Sequence, residues 1–214
     1  HFDGVDLDFE NLYPEDRRDY LSFVSELKKR LSSTDAVLSV TVQPKTADSQ
    51  EWAGVRALDY HALSKIADQI RVMAYDQHYS SGPPGPIASI DWVEKVIKYA
   101  ARRVSKKKLI LGVPLYGYDW SEPGQGSAVD FESAHQKAEE VGATIMWDKQ
   151  AASPYFTYSE NGKDHIVWFE NARSISAKLN VKGSSKLAGY SFFRLGIEDP
   201  GIWPVLEKRT DRSP

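Results

Sequence analysis

The chain of 214 residues contains no cysteine. That excludes disulfides, thiolate nucleophiles and thiolate zinc sites. Its five histidines, at positions 1, 61, 78, 135 and 165, form no HxxxH or HExxH pair, so neither a metal site nor a cofactor is expected. No apolar run reaches the about 18 residues of a membrane-spanning helix, and no membrane span is expected. Neither sign of charge dominates: 27 Lys and Arg stand against 30 Asp and Glu, a net charge of −3. That balance gives no general pull toward nucleic acid or an acidic membrane surface. A leader is missing too, since His1-Phe2 runs straight into an apolar segment. The chain is therefore read as the later part of a longer protein, with any secretion signal lost with the front.

What is there is ordinary for a globular protein, with 41% hydrophobic and 27% charged residues, and long enough for one good-sized core. The one tilt is aromatic, 12% of the chain with six Trp and 11 Tyr. Such rings fill cores and also serve as flat platforms for ligands. Five short apolar segments read as buried strands: Phe2–Phe9, Val37–Val42, Ile70–Tyr75, Leu109–Tyr116 and Leu187–Phe193. Helical patterns separate them. Pro14-Glu15-Asp16 opens the first, with Tyr20, Phe23, Val24, Leu27 and Leu31 on one stripe. A second runs from Leu58 to Ala67, a third follows Ser89 as N-cap, and a fourth spans Glu170 to Leu179. Strand–helix alternation predicts right-handed βαβ units and a parallel sheet.

The alternation breaks after Leu109–Tyr116. A helix pattern at Asp130–Val141 is joined by strand candidates at Thr144–Trp147, Tyr155–Tyr158 and His165–Phe169. Asn161-Gly162 suits a hairpin between the last two. Residues from about 121 to 169 thus read as a small α+β insertion on a βα loop, with Trp147 and Trp168 in its core.

The first segment carries the most chemistry. On a strand, residues two apart share a face, so Asp6, Asp8 and Glu10 point one way and Val5, Leu7 and Phe9 the other. The apolar set suits packing against helices, which turns the acids toward the centre of a sheet or barrel. Carboxylates crowded there repel one another, and at least one is expected to hold its proton above the usual range. A protonated carboxyl at neutral pH is what general acid catalysis requires. A solvated acidic edge strand leaves the apolar alternation unexplained, and a calcium loop calls for Gly and Asn at set positions.

Asp3-Gly4-x-Asp6-x-Asp8-x-Glu10 resembles the DGxDxDxE signature of glycoside hydrolase family 18, the chitinase-like enzymes. Met73-Ala74-Tyr75-Asp76 resembles the family's MxYD strand end, Gln43-Pro44-Lys45 sits where its preceding strand ends, and Gly112–Gly117 resembles its next strand. The resemblance covers essentially the whole chain. It implies an α/β fold, a partial TIM (β/α)8 barrel from the fourth strand onward, with the insertion after the seventh. It also implies a retaining mechanism in which the substrate's own 2-acetamido oxygen attacks the anomeric carbon. Glu10 then protonates the leaving oxygen, Asp8 orients the acetamido group, Asp6 shares a proton with Asp8, and Tyr75 donates to the acetamido oxygen. Asp76, Met73, Gln43 and Tyr116 are the implied binding contacts. Phe193 stands where the family usually places a Trp as the floor under the sugar; a Phe covers less area and has no N–H.

Phe9-Glu10-Asn11, Tyr75-Asp76-Gln77-His78 and Arg194-Leu195-Gly196 resemble a bacterial branch, the spore cortex and cell-wall hydrolases. The implied substrate is a polymer of N-acetylglucosamine, peptidoglycan or chitin, and the implied location is secreted, at a cell wall or spore. A non-catalytic, lectin-like member of the same fold is the alternative; such members typically lose the acid that Glu10 supplies here. A scaffold using the insertion is a third reading. A barrel without its first three strands exposes sheet edges, so pairing with another copy or with a missing N-terminal half is expected.

Overall fold

The structure is a computed structural model that describes residues 2–48 and 53–210. His1, the start of the expected run into the first strand, lies outside the described residues. Strand β1 (Gly4–Leu7) leads through a 3-10 turn at Pro14–Asp16 into α1 (Arg17–Leu31) and β2 (Val37–Val42). Then come α2 (Ala53–Ala57), α3 (Tyr60–Ile66), β3 (Gln69–Met73), α4 (Ile90–Ala100) and β4 (Leu109–Pro114). Strands β5 (Gly117–Trp120) and β6 (Gly126–Val129), helix α5 (Phe131–Glu140) and strands β7 (Met146–Asp148), β8 (Ser153–Glu160) and β9 (Lys163–Trp168) follow. Helix α6 (Ala172–Leu179), β10 (Gly189–Phe193) and α7 (Ile202–Thr210) complete the order.

The chain divides into two compact units. The first comprises His1–Ala74, Glu94–Gly112 and Gly183–Ser191; the second comprises Tyr75–Val93, Val113–Lys182 and Phe192–Pro214. The first is built on a sheet of order β1-β2-β3-β4-β10, in which β1 to β4 pair in parallel. Strand β2 lies between β1 and β3, and its residues Leu38 to Val42 are buried on both faces, as expected of a parallel strand covered by helices. Strand β1 is the edge. It needs glycine at position 4, because a Cβ there would lie 2.2 Å from the Val37 carbonyl oxygen. Lys28 of α1 binds both oxygens of Asp68 at 2.7 and 2.6 Å, and Asp68 also accepts the Leu38 N–H at 2.8 Å. One carboxylate thus ties α1 to β2.

The α1 stripe is only partly buried. Tyr20 and Val24 are inside, but Phe23 is 46% exposed. Its ring meets Phe9, just past the end of β1, and no further strand pairs with the free edge of β1 among the described residues.

The second unit carries an antiparallel sheet of order β6-β5-β9-β8-β7. Asp130 caps α5 by accepting the Ser133 N–H at 2.6 Å, and α5 packs Ala134 and Ala138 against Phe156, Val167 and Phe169. Asn161 and Gly162 both have positive φ, 52° and 75°, as a two-residue hairpin turn requires. The sequence reading leaves β5 and β6 out; they are two of the five strands. Each has four residues, and GYDW and GSAV alternate too briefly to register as strands. Beneath α6 a buried ion pair joins Lys178 to Glu170 at 2.7 Å, with Ser174 donating to the same carboxylate oxygen.

Candidate active site

In the first unit, one face of the sheet is polar. Residues two apart along β2 and just past its end, namely Ser39, Thr41 and Gln43, are all buried, and β3 offers Gln69, Arg71 and Met73 in the same alternation. Register places Asp6 beside Ser39, and Ser39 beside Gln69. Thr41 donates its hydroxyl to Asp6 at 2.7 Å. The Ser39 hydroxyl, the Gln43 side-chain oxygen and Arg71 Nε are buried without a hydrogen-bond partner. A core face seldom leaves three such groups unpaired; a face that receives a polar ligand does.

Strand β1 ends at Leu7, so Asp8, Phe9 and Glu10 extend beyond it. All three acids, Asp6, Asp8 and Glu10, reach solvent rather than lying enclosed. Of the apolar set only Leu7 is buried; Val5 and Phe9 are 41% and 45% exposed. The expected inward packing thus holds for one residue of three, because β1 lies at the edge. Phe9 still meets Tyr20 and Phe23 of α1, with ring centroids 5.4 and 5.9 Å apart.

Burial pushes the Asp8 carboxyl above its usual range, and the negative charge of Asp6 pushes it further; the Arg71 guanidinium opposes both. The Tyr20 hydroxyl is likewise held well above its ordinary value by burial, then by Asp6 and Asp8. The sequence reading did not select Arg71, and took Tyr20 only as part of the apolar stripe of α1. Arg71 had a visible signal, a lone cation between Ile70 and Val72 in a buried strand.

Gln43 is buried and faces inward. Its side-chain amide nitrogen donates to the Glu10 main-chain oxygen at 3.1 Å, and its main-chain carbonyl accepts the Tyr60 hydroxyl. Lys45 is buried beside it, donating to the Leu58 carbonyl at 2.5 Å. Burial, followed by the nearby Arg17, lowers the Lys45 ammonium to about 8.

In the second unit, Tyr75, Asp76, Tyr116 and Phe193 come together. Phe193 stacks on Tyr75 with centroids 5.8 Å apart and planes at 19°, and Tyr116 stands edge-on to both at 6.2 and 6.1 Å. Phe193 is 51% exposed, whereas Tyr116 is buried. Asp76 has φ of 56°, a left-handed backbone unusual for a non-glycine residue. The Tyr116 hydroxyl donates to Asp76 Oδ1 at 2.5 Å, and that of Tyr118 to the same atom at 3.4 Å. Burial raises the Asp76 carboxyl and both tyrosines oppose the rise; the Tyr118 hydroxyl is raised to about 12. The sequence places Tyr116, Tyr118 and Trp120 just after the fourth apolar segment, where one of them could line a cleft; Tyr116 and Tyr118 are the two that reach Asp76. Ile87, Trp120 and Trp168 back this cluster.

Among the described residues, no group of three or more His, Asp or Glu is placed to hold a metal ion. No helix among them is long and apolar enough to cross a membrane.

The model of the family described as Glycosyl hydrolases family 18 matches residues 1–198. The chain is 35% identical over 218 residues to the putative sporulation-specific glycosylase YdhD of Bacillus subtilis, covering 99% of this chain and 51% of that protein. It is 36% identical over 211 residues to the cortical fragment-lytic enzyme of the same organism, covering 96% and 49%. The chain thus spans about half the length of these curated relatives. Among solved structures, a chitinase from Chromobacterium violaceum matches with a TM-score of 0.92 at 32% identity, over 99% of this chain and 67% of that one.

Proposed function

The chain belongs to glycosyl hydrolase family 18, and on that footing we propose that it is the part of a catalytic barrel from the fourth strand onward and hydrolyses β-1,4 bonds of N-acetylglucosamine-containing polymers. The observation that carries the reading is the Asp6–Asp8–Glu10 run at the end of β1, where burial and the Asp6 charge raise the Asp8 carboxyl above its usual range.

The roles follow from the chemistry of each group. Glu10, one alternation beyond Asp8, is the general acid that protonates the leaving oxygen and then the base that activates water. Asp8 orients the substrate's acetamido group, and Asp6, whose charge raises the Asp8 carboxyl, shares a proton with it. Attack by the acetamido oxygen replaces an enzyme nucleophile and gives retention. Tyr75 donates to the acetamido oxygen, and Phe193 offers an exposed ring to the sugar face. Asp76, held by two tyrosine hydroxyls, is a fixed acceptor for a sugar group. Met73, the last residue of β3, and Gln43 complete the proposed contacts.

Peptidoglycan is the favoured polymer, at a wall or spore surface. Two relatives near 35% identity carry names of sporulation and cortex enzymes, against 32% for the Chromobacterium violaceum chitinase and 24% for a di-N-acetylchitobiase from mouse. Incubation with cortex peptidoglycan and with a soluble chitin oligomer, followed by proton NMR of fresh products, tests the proposal. Reducing ends should appear first as the β-anomer. Release of the α-anomer first, or no release from either polymer, would contradict it.

A further inference from the structure

The net charge of −3 conceals a segregation. Residues 95–108 hold seven of the 27 Lys and Arg and no Asp or Glu; the remaining 200 residues carry 20 Lys and Arg against 30 Asp and Glu. This segment, in the first unit, is the C-terminal part of α4 and the turns that lead into β4. Arg103 and Lys108 are engaged internally. Arg103 holds both oxygens of Asp48 at 2.6 Å and lies 3.7 Å from the Tyr99 ring centroid. Lys108 donates to the Ser64 and Ala67 carbonyls at 2.9 and 2.8 Å.

The others face outward: Lys95, Lys98, Arg102 and Lys107 are exposed and Lys106 is half-buried. Lys95, Lys98 and Arg102 recur at three and four, so they share one side of the helical path over about 10 Å. Two acids lie nearby on the same helix, Glu94 one turn before Lys98 and Asp91 in the first turn. Acids at the start and bases at the end of a helix suit its dipole. That accounts for Lys98, but Arg102, Lys106 and Lys107 lie past the helix end.

We propose that this surface docks a polyanion, a phosphodiester-bearing polymer of the cell wall. Membrane docking calls for exposed apolar residues beside the cations, and Val96, Ile97 and Val104 are buried. Binding of single-stranded nucleic acid calls for exposed stacking rings, and Tyr99, the segment's one aromatic, is buried against Arg103. The choice of a wall polymer rests on the wall-glycan reading above. In the parallel sheet the segment enters β4 at its N-terminal end, while Asp8, Glu10 and Gln43 follow the C-terminal ends of β1 and β2. A polymer held here leaves the acids uncovered.

The test is binding of the chain to purified bacterial wall sacculi before and after hydrofluoric acid strips their phosphodiester polymers. Binding should be at least about tenfold tighter to intact sacculi and should weaken steeply with salt, as counterion release dictates. The combined variant Lys98→Gln, Arg102→Gln and Lys107→Gln should lose that advantage while melting as the parent does; Lys107→Glu alone, exposed and outside α4, should lose part of it. Equal binding to intact and stripped sacculi overturns the proposal. So does undiminished binding by both variants, or tighter binding to duplex DNA or to anionic lipid vesicles. The readout is binding to phosphate, so a chain that cleaves no glycan leaves the test intact.

Discussion

The side-chain amide of Gln43 donates to the main-chain oxygen of Glu10 across 3.1 Å, so the end of β2 holds the residue proposed as the acid. Glu10 lies beyond the last paired residue of β1 and has no strand ladder to fix it. Gln43 is itself anchored from behind by the Tyr60 hydroxyl. Gln43→Leu should lower kcat by up to about tenfold with little change in KM, the effect of one neutral hydrogen bond. Steady-state kinetics check this. A raised KM at constant kcat would instead mark Gln43 as a binding contact.

Asp6 and Arg71 pull Asp8 in opposite directions. Asp6→Asn removes the like charge and should move the Asp8 titration to lower pH; Arg71→Met removes the opposing cation and should move it higher. The sign for stability follows. A carboxyl whose folded pKa is raised favours the folded state below its unfolded pKa, and that contribution is lost as pH rises through the folded value. Asp6→Asn should therefore flatten the fall in stability between the two pKa values of Asp8. Carbon-13 NMR of the side-chain carboxyls, with melts across the acid range, reads both effects.

Phe193 presents half its surface while resting on Tyr75. Phe193→Trp enlarges the stacking face and should tighten binding of N-acetylglucosamine oligomers. Phe193→Ala should weaken it, by roughly 1 kcal/mol or more. Isothermal titration with Glu10→Gln protein avoids turnover during the measurement.

The Glu170–Lys178 pair is 1% exposed on each side. Burial raises the Glu170 carboxyl even against the pull of Lys178, and its other oxygen has no hydrogen-bond partner. Lys178→Met should cost about 3–5 kcal/mol at neutral pH, because it strands a buried charge. The loss should shrink at acid pH, where Glu170 takes up a proton. Glu170→Gln with Lys178→Met should recover much of the loss. Urea denaturation at two pH values tests the set.

Much of the first unit was legible because its signals are local. Alternation with period two exposes an acid face in nine residues, and buried runs such as VLSVTV declare parallel strands without a partner in view. Ser39 and Thr41 share the polar face and period of Gln43 but went unread, since small polar residues inside a strand look like noise until register sets them beside Asp6. Arg71 belongs to that face for the same reason. Strands β5 and β6 escaped because four residues that include a glycine take their conformation from partners distant in sequence; Gly117 is required by the Trp168 carbonyl, not by its neighbours. Phe23 fitted a helical stripe, yet a stripe shows which side of a helix is apolar and not how much of it is covered.

The central claim is that Glu10 moves the proton in glycosidic cleavage. Hydrolysis of a chromogenic chitobioside by the wild-type chain and by Glu10→Gln tests it most directly. Glutamine keeps the shape and the backbone bond to Gln43 but carries no titratable proton. The account predicts a loss of about 10²–10⁴-fold in kcat, with both proteins melting alike. Equal rates in the two proteins would contradict it.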